Sequence, residues 1–179
     1  MRTPLRPIAV LIAALTAMAP RAAAQSLQRF SLQASGAALF ATRKDPDFDS
    51  KTRLGFEGQA RYTFGRFSLG AGYQRSTVFA VQGFPTRLAL SLGFVEPRYV
   101  LAAGRGIAAY VAGRVGVGKL ICNEKCNAGG TNVAYGGGGG LLFRLNQRFS
   151  ADVGAQFFQV DGTFSSGYAM ARLGLGVGL

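Results

Sequence analysis

Glu57, Glu96 and Asp152 are the residues in the body of the chain best suited by type to acid–base chemistry. Such chemistry needs two carboxyl groups in contrasting protonation states. The same stretches carry Arg61, Arg98, Arg114 and Arg172, with Arg144 further along. Guanidinium groups beside carboxylates keep them ionised, so mutual neutralisation in an ion network is expected rather than catalysis. The chain has no His, which removes the usual activating base of a Ser or Asp nucleophile system. The expectation is a protein that is not an enzyme and uses no cofactor and no metal.

Other residues of chemical interest have plainer readings. Cys122 and Cys126 are separated by three residues, and in an exported chain a disulfide closing a short loop is the leading reading. Metal binding there is the alternative, with Glu124 as the only nearby acid. Asp45, Asp47 and Asp49 resemble the start of a calcium loop, but its Gly and distal Glu are missing. A solvated acidic loop is expected, with a weak divalent-cation contact as the alternative. The Gly136–Gly140 run lacks the Gly-Lys-Ser/Thr of a phosphate loop and falls inside a strand pattern.

The N-terminus indicates export. Arg2 and Arg6 precede an apolar stretch, Ile8–Ala19, broken only by Thr16, and Ala22-Ala23-Ala24 supplies small residues for cleavage. The run is about half the ~20 residues a membrane helix needs. Residues 1–24 are therefore read as a signal peptide and 25–179 as one domain. The formal charge is +12, from 20 basic and 8 acidic residues. Without Arg2, Arg6 and Arg21 it is 17 − 8 = +9. The bases are scattered singly, which argues against nucleic acid and for anionic lipid headgroups.

The elements that must position these residues are strands. Period-two segments run near 28–42, 52–64, 66–80, 86–101, 106–119, 131–145, 147–160 and 167–179. Short and longer connections alternate between them, the layout of bacterial membrane barrels. Leu54, Phe56, Ala60, Tyr62 and Phe64 share one face of the second segment, and Glu57, Gln59 and Arg61 the other. Ala169, Ala171, Leu173, Leu175 and Val177 likewise oppose Arg172 in the last. The polar faces are too poor in charge for a soluble exterior, so the large apolar residues are placed outward, toward lipid. In the fourth segment Leu88, Leu90, Leu92 and Phe94 are then outward, and a β-bulge near Val95–Glu96 is expected to bring Glu96 and Arg98 into the lumen. Aromatics near the segment ends, among them Phe30, Phe64, Phe67, Tyr99, Phe143 and Phe149, and Phe40, Phe79, Tyr135 and Phe157, suggest two interfacial girdles.

On this strand plan, with Val95-Glu96-Pro97-Arg98-Tyr99 and Tyr110-Val111-Ala112-Gly113-Arg114-Val115-Gly116, residues 27–179 resemble the small outer-membrane barrels of the OmpA/OmpX type and the wider porin-like β-barrel domain family. The resemblance implies a closed eight-stranded antiparallel up-and-down transmembrane β-barrel whose lumen is filled by an ionic network, with no cofactor. It implies the outer membrane of a Gram-negative-type bacterium, with both ends of the barrel chain on the periplasmic side. The expected partners are outer-membrane lipids and lipopolysaccharide, and the barrel-assembly machinery during insertion; a monomer is expected. The functional expectation is an envelope-structural or surface-interaction role, with a narrow or gated channel for small solutes as the alternative.

Overall fold

The computed structural model describes residues 29–42, 52–80, 87–104, 106–122, 130–161 and 166–179. The signal segment, the Asp45/Asp47/Asp49 run and Cys126 lie outside these residues, so the cation contact and the disulfide are not described structurally.

Eight strands follow one another: β1 (Phe30–Ala41), β2 (Arg53–Phe64), β3 (Phe67–Ala80), β4 (Arg87–Gly104), β5 (Ile107–Cys122), β6 (Thr131–Arg144), β7 (Phe149–Asp161) and β8 (Ser166–Gly178). The segments read from alternation agree with these bounds to within about three residues. Each strand pairs antiparallel with its sequence neighbour, and β8 returns to β1 from Ser31↔Gly178 to Ala41↔Tyr168. The barrel is closed. Closure removes both sheet edges, so backbone groups are paired between strands, a condition a sheet in lipid must meet. Even the shortest strands have 12 residues, more than the ~9–11 that cross a bilayer when tilted.

Three connections are tight. Gly65 (φ 61°) lies between β2 and β3, and Gly106 (φ 88°) between β4 and β5. Both adopt the left-handed region that a glycine enters without steric cost. Between β6 and β7, the Asn146 Oδ1 accepts hydrogen bonds from the backbone N–H groups of Arg148 and Phe149, both at 2.8 Å. These turns share a rim with Phe30 and Gly178, here the tight-turn rim. The connections leaving β1, β3, β5 and β7 depart from the opposite, loop rim.

The polarity is inverted relative to a soluble barrel. Leu54 is 74% exposed, whereas Glu57, three residues on, is 2% exposed. Outward positions at mid-height include the aliphatic Val111, Val153 and Leu173, and most outward rings gather toward the rims, Tyr73 in mid-β3 excepted. Phe30 faces Tyr62 in the register, and Phe64, Phe67 and Tyr99 form the next row, two residues nearer the rim. Phe40, Ala169 and Phe157 form another row toward the loop rim. An apolar belt flanked by aromatic girdles is the surface a bilayer selects.

One expectation is overturned. β4 keeps a single parity from Leu90 to Arg98, so Leu90, Leu92 and Phe94 face the lumen with Glu96 and Arg98. No bulge lies at Val95–Glu96: the β3–β4 register is unbroken there, and Val95↔Val115 and Arg98↔Ala112 keep one register with β5 across Pro97. The irregularities occur at Thr77/Phe79 and Val100/Ala102. The reason is packing. Toward the loop rim the lumen is filled by an apolar cluster, Leu39, Leu90, Leu92, Phe94, Phe158, Val160, Tyr168 and Met170 among its members. Apolar residues on β4 are therefore satisfied inside, not by lipid. The Leu88 side chain lies outside the described set.

Candidate functional site: the luminal ion network

Alternation places each charged residue of the network. Glu57, Gln59 and Arg61 occupy successive inward positions of β2; Glu96 and Arg98 those of β4; Tyr110 and Arg114 belong to β5, Asp152 and Gln156 to β7, and Arg172 to β8. In an eight-stranded barrel the interior is about wide enough for side chains to meet across it.

They meet on Glu96, which is wholly inaccessible to solvent. Its carboxylate accepts from Arg61 Nη2 at 2.8 Å, Arg98 Nε at 2.7 Å, Arg114 Nε at 3.0 Å and Arg172 Nη1 at 2.8 Å. Gln156 Nε2 donates a further bond at 2.9 Å. Glu57 accepts from Arg114 Nη1 at 2.9 Å and Arg172 Nη1 at 3.1 Å. Asp152 accepts from Arg98 Nη1 at 2.6 Å, Arg172 Nε at 3.2 Å and the Tyr110 hydroxyl at 3.0 Å. Seven of the eight charged residues named from sequence are thus brought into one cluster, and the eighth, Arg144, lines the cavity toward the tight-turn rim. Burying ions is costly unless their remaining donors and acceptors are also satisfied, and neutral side chains do this. Gln74 Oε1 accepts from Arg114, Gln33 Oε1 from Gln59, and Gln59 Oε1 from Arg61. Two guanidiniums also lie over rings, Arg98 at 4.4 Å from the Tyr110 centroid and Arg114 at 3.9 Å from that of Phe94.

Sequence reasoning left Tyr110 and the glutamines out of the network, although Gln59 was placed on the inward face of β2. Tyr110 shares the parity of Arg114 on β5, and that signal was available. Its slot was not visible: a Cβ on Gly140 or Gly154 would fall 2.6 Å or 2.8 Å from the Tyr110 hydroxyl. Arg61 depends similarly on Gly70, where a Cβ would stand 2.6 Å from its Nη2. These inward glycines make room for long polar side chains.

Between the network and the tight-turn rim lies a cavity of about 60 Å³, lined by Arg61, Arg66, Arg98, Arg144 and Arg148 together with small polar and apolar residues. Among the described residues no Asp or Glu lines it. The three carboxylates of the network are each engaged by at least two arginines, and none of them borders this space. Among the described residues no group of three His, Cys, Asp or Glu side chains could hold a metal ion.

A closed eight-stranded barrel with an aliphatic exterior and an ionic interior is the architecture of bacterial outer-membrane barrels, and the structural comparisons agree. Neisserial surface protein A (NspA) superimposes with a TM-score of 0.71 at 15% identity, over 84% of this chain and 97% of NspA. The N-terminal β-barrel domain of Pseudomonas aeruginosa OprF gives 0.54 at 18% identity, over 84% and 97%. Ail, the attachment invasion locus protein of Yersinia pestis, gives 0.51 at 14%, over 83% and 95%. No family model matches the chain, and no curated protein matches it by sequence. At these identities the likeness establishes the fold.

Proposed function

We propose that the chain is a non-enzymatic integral protein of a bacterial outer membrane, with an envelope-structural role and loops that contact the surroundings. The observation that carries this reading is the inversion itself, an exposed apolar belt around a buried ion cluster. After export directed by residues 1–24, the tight-turn rim faces the periplasm and the loop rim the exterior. Arg75 and Lys119 support this orientation. Both point outward near the loop rim and flank Ser91 in one lateral row of the register. Such a row suits the phosphates of lipopolysaccharide, since headgroup-level cations attract anionic lipid. The names of NspA and Ail, a surface protein and an attachment protein, agree with loops displayed outside the cell.

The lumen supports a structural role over a conducting one, because the ion cluster and the apolar cluster occupy it in series. The test is fractionation of the expressing cell, followed by electrophoresis of heated and unheated samples. The chain is expected in the outer-membrane fraction, with a mobility that changes on heating. Recovery as a detergent-free soluble protein would overturn the reading. In planar bilayers the expected result is no steady conductance; a large, stable one would establish the channel instead.

A further inference from the structure

We infer that the cavity at the tight-turn rim is a binding site for a single phosphate group, either inorganic phosphate or the phosphate ester of a glycerol headgroup. The inference rests on the barrel reading above, which leaves this rim open to water. Three observations carry it. First, the buried cluster is not neutral: Arg61, Arg98, Arg114 and Arg172 against Glu57, Glu96 and Asp152 leave 4 − 3 = +1. Second, the cavity borders this excess and adds Arg66 and Arg148, with no acid among the described residues of its wall. Third, Arg61 lines the cavity, is 6% exposed, and has an Nε with no hydrogen-bond partner among the described residues. Its other nitrogens are taken, Nη1 by the Ser68 hydroxyl at 3.0 Å and Nη2 by Gln59 and Glu96.

A buried unsatisfied donor on a cation, beside excess positive charge, is the environment an anion neutralises. The size fits as well. A cavity of about 60 Å³ is several times the ~10–15 Å³ that a single water requires, so a small polyatomic anion can enter it. Arginine forks suit such a group because two N–H donors can meet two oxygens.

The test uses the full mature chain folded in zwitterionic micelles, titrated with inorganic phosphate at constant ionic strength set by chloride. The readout is the Arg61 Nε–H resonance, assigned through Arg61→Lys. A saturable shift absent from a chloride titration is expected. Arg66→Gln and Arg148→Gln lie outside the seven-residue cluster and should still show heat-shifted mobility, while weakening the apparent affinity about tenfold each, the loss of one charge-assisted hydrogen bond. A parallel titration with glycerol phosphate and short-chain phosphatidylglycerol separates the two sources: tighter binding of the ester assigns the headgroup, and equal or weaker binding assigns free phosphate. A response identical to that of chloride, or one unchanged in both Gln variants, overturns the proposal. Failure of the heat-shift assay in the unaltered chain would instead overturn the barrel reading on which it rests.

Discussion

Toward the tight-turn rim the lumen is filled by four arginines and three carboxylates; toward the loop rim the same kind of inward position holds Leu39, Leu90, Leu92, Phe158 and Met170, each 1% exposed. Both halves bury their side chains, but by different physics. The apolar half is cohesive without direction, so each side chain contributes in proportion to the area it buries. The ionic half is directional, and each group depends on partners that become costly if orphaned. One half should therefore respond to substitution gradually, and the other abruptly and in the order of its connectivity. Phe94 joins the two, belonging to the apolar cluster while its ring carries Arg114.

The comparison is broken most directly at its hub. Glu96→Gln keeps the shape but leaves four guanidiniums without their shared counter-charge. A loss of about 5 kcal/mol, at the upper end for a broken buried pair, is expected in urea unfolding of the micelle-folded barrel. If Glu96→Gln unfolds like the unaltered chain, the network is not structural. Asp152→Asn, with two arginines and Tyr110 as partners, should cost about 3–4 kcal/mol, and Glu57→Gln, with two arginines, about 3 kcal/mol. The order Glu96, Asp152, Glu57 is the sharper claim, and equal values for all three would contradict it. In the apolar half, Leu92→Ala should cost about 2–3 kcal/mol through lost transfer energy and a residual cavity. The same assay should return most of that loss in Leu92→Met, which keeps the volume.

Gly70→Ala probes the boundary between shape and charge. The added methyl meets the Arg61 guanidinium, so a cost of about 1–3 kcal/mol from overpacking is expected, and Gly70→Ala in an Arg61→Gln background should cost less. The smallest effect belongs to the exterior. Arg75→Ala and Lys119→Ala should leave unfolding within about 0.5 kcal/mol, being surface changes. Their effect should appear instead as weaker retention of lipopolysaccharide in a co-purification assay.

Much of this was legible in the chain. Strand number and limits followed from alternation and turn residues, because a side chain in a strand has only two directions. The same rule gathered Glu57, Asp152, Arg61, Arg114 and Arg172 on inward faces, whereas Glu96 and Arg98 were brought inward only by an expected bulge that the structure lacks. What failed on β4 was polarity, not alternation: Leu90, Leu92 and Phe94 were assigned to lipid because they are apolar. Parity from Leu90 through Glu96 and Arg98 was itself readable, and holding to it without a bulge would have placed them inside.

By itself, then, the sequence determined eight strands, their alternation, and which charges must share an interior. Only the closed structure decided that Glu96 is the common acceptor, that Tyr110 completes Asp152, and that the lumen divides into an ionic and an apolar half. The reason is that alternation is a local property of each strand. Which side chains meet across the lumen depends on register and closure, and these bring β2, β4, β5, β7 and β8 to one point through contacts far apart along the chain.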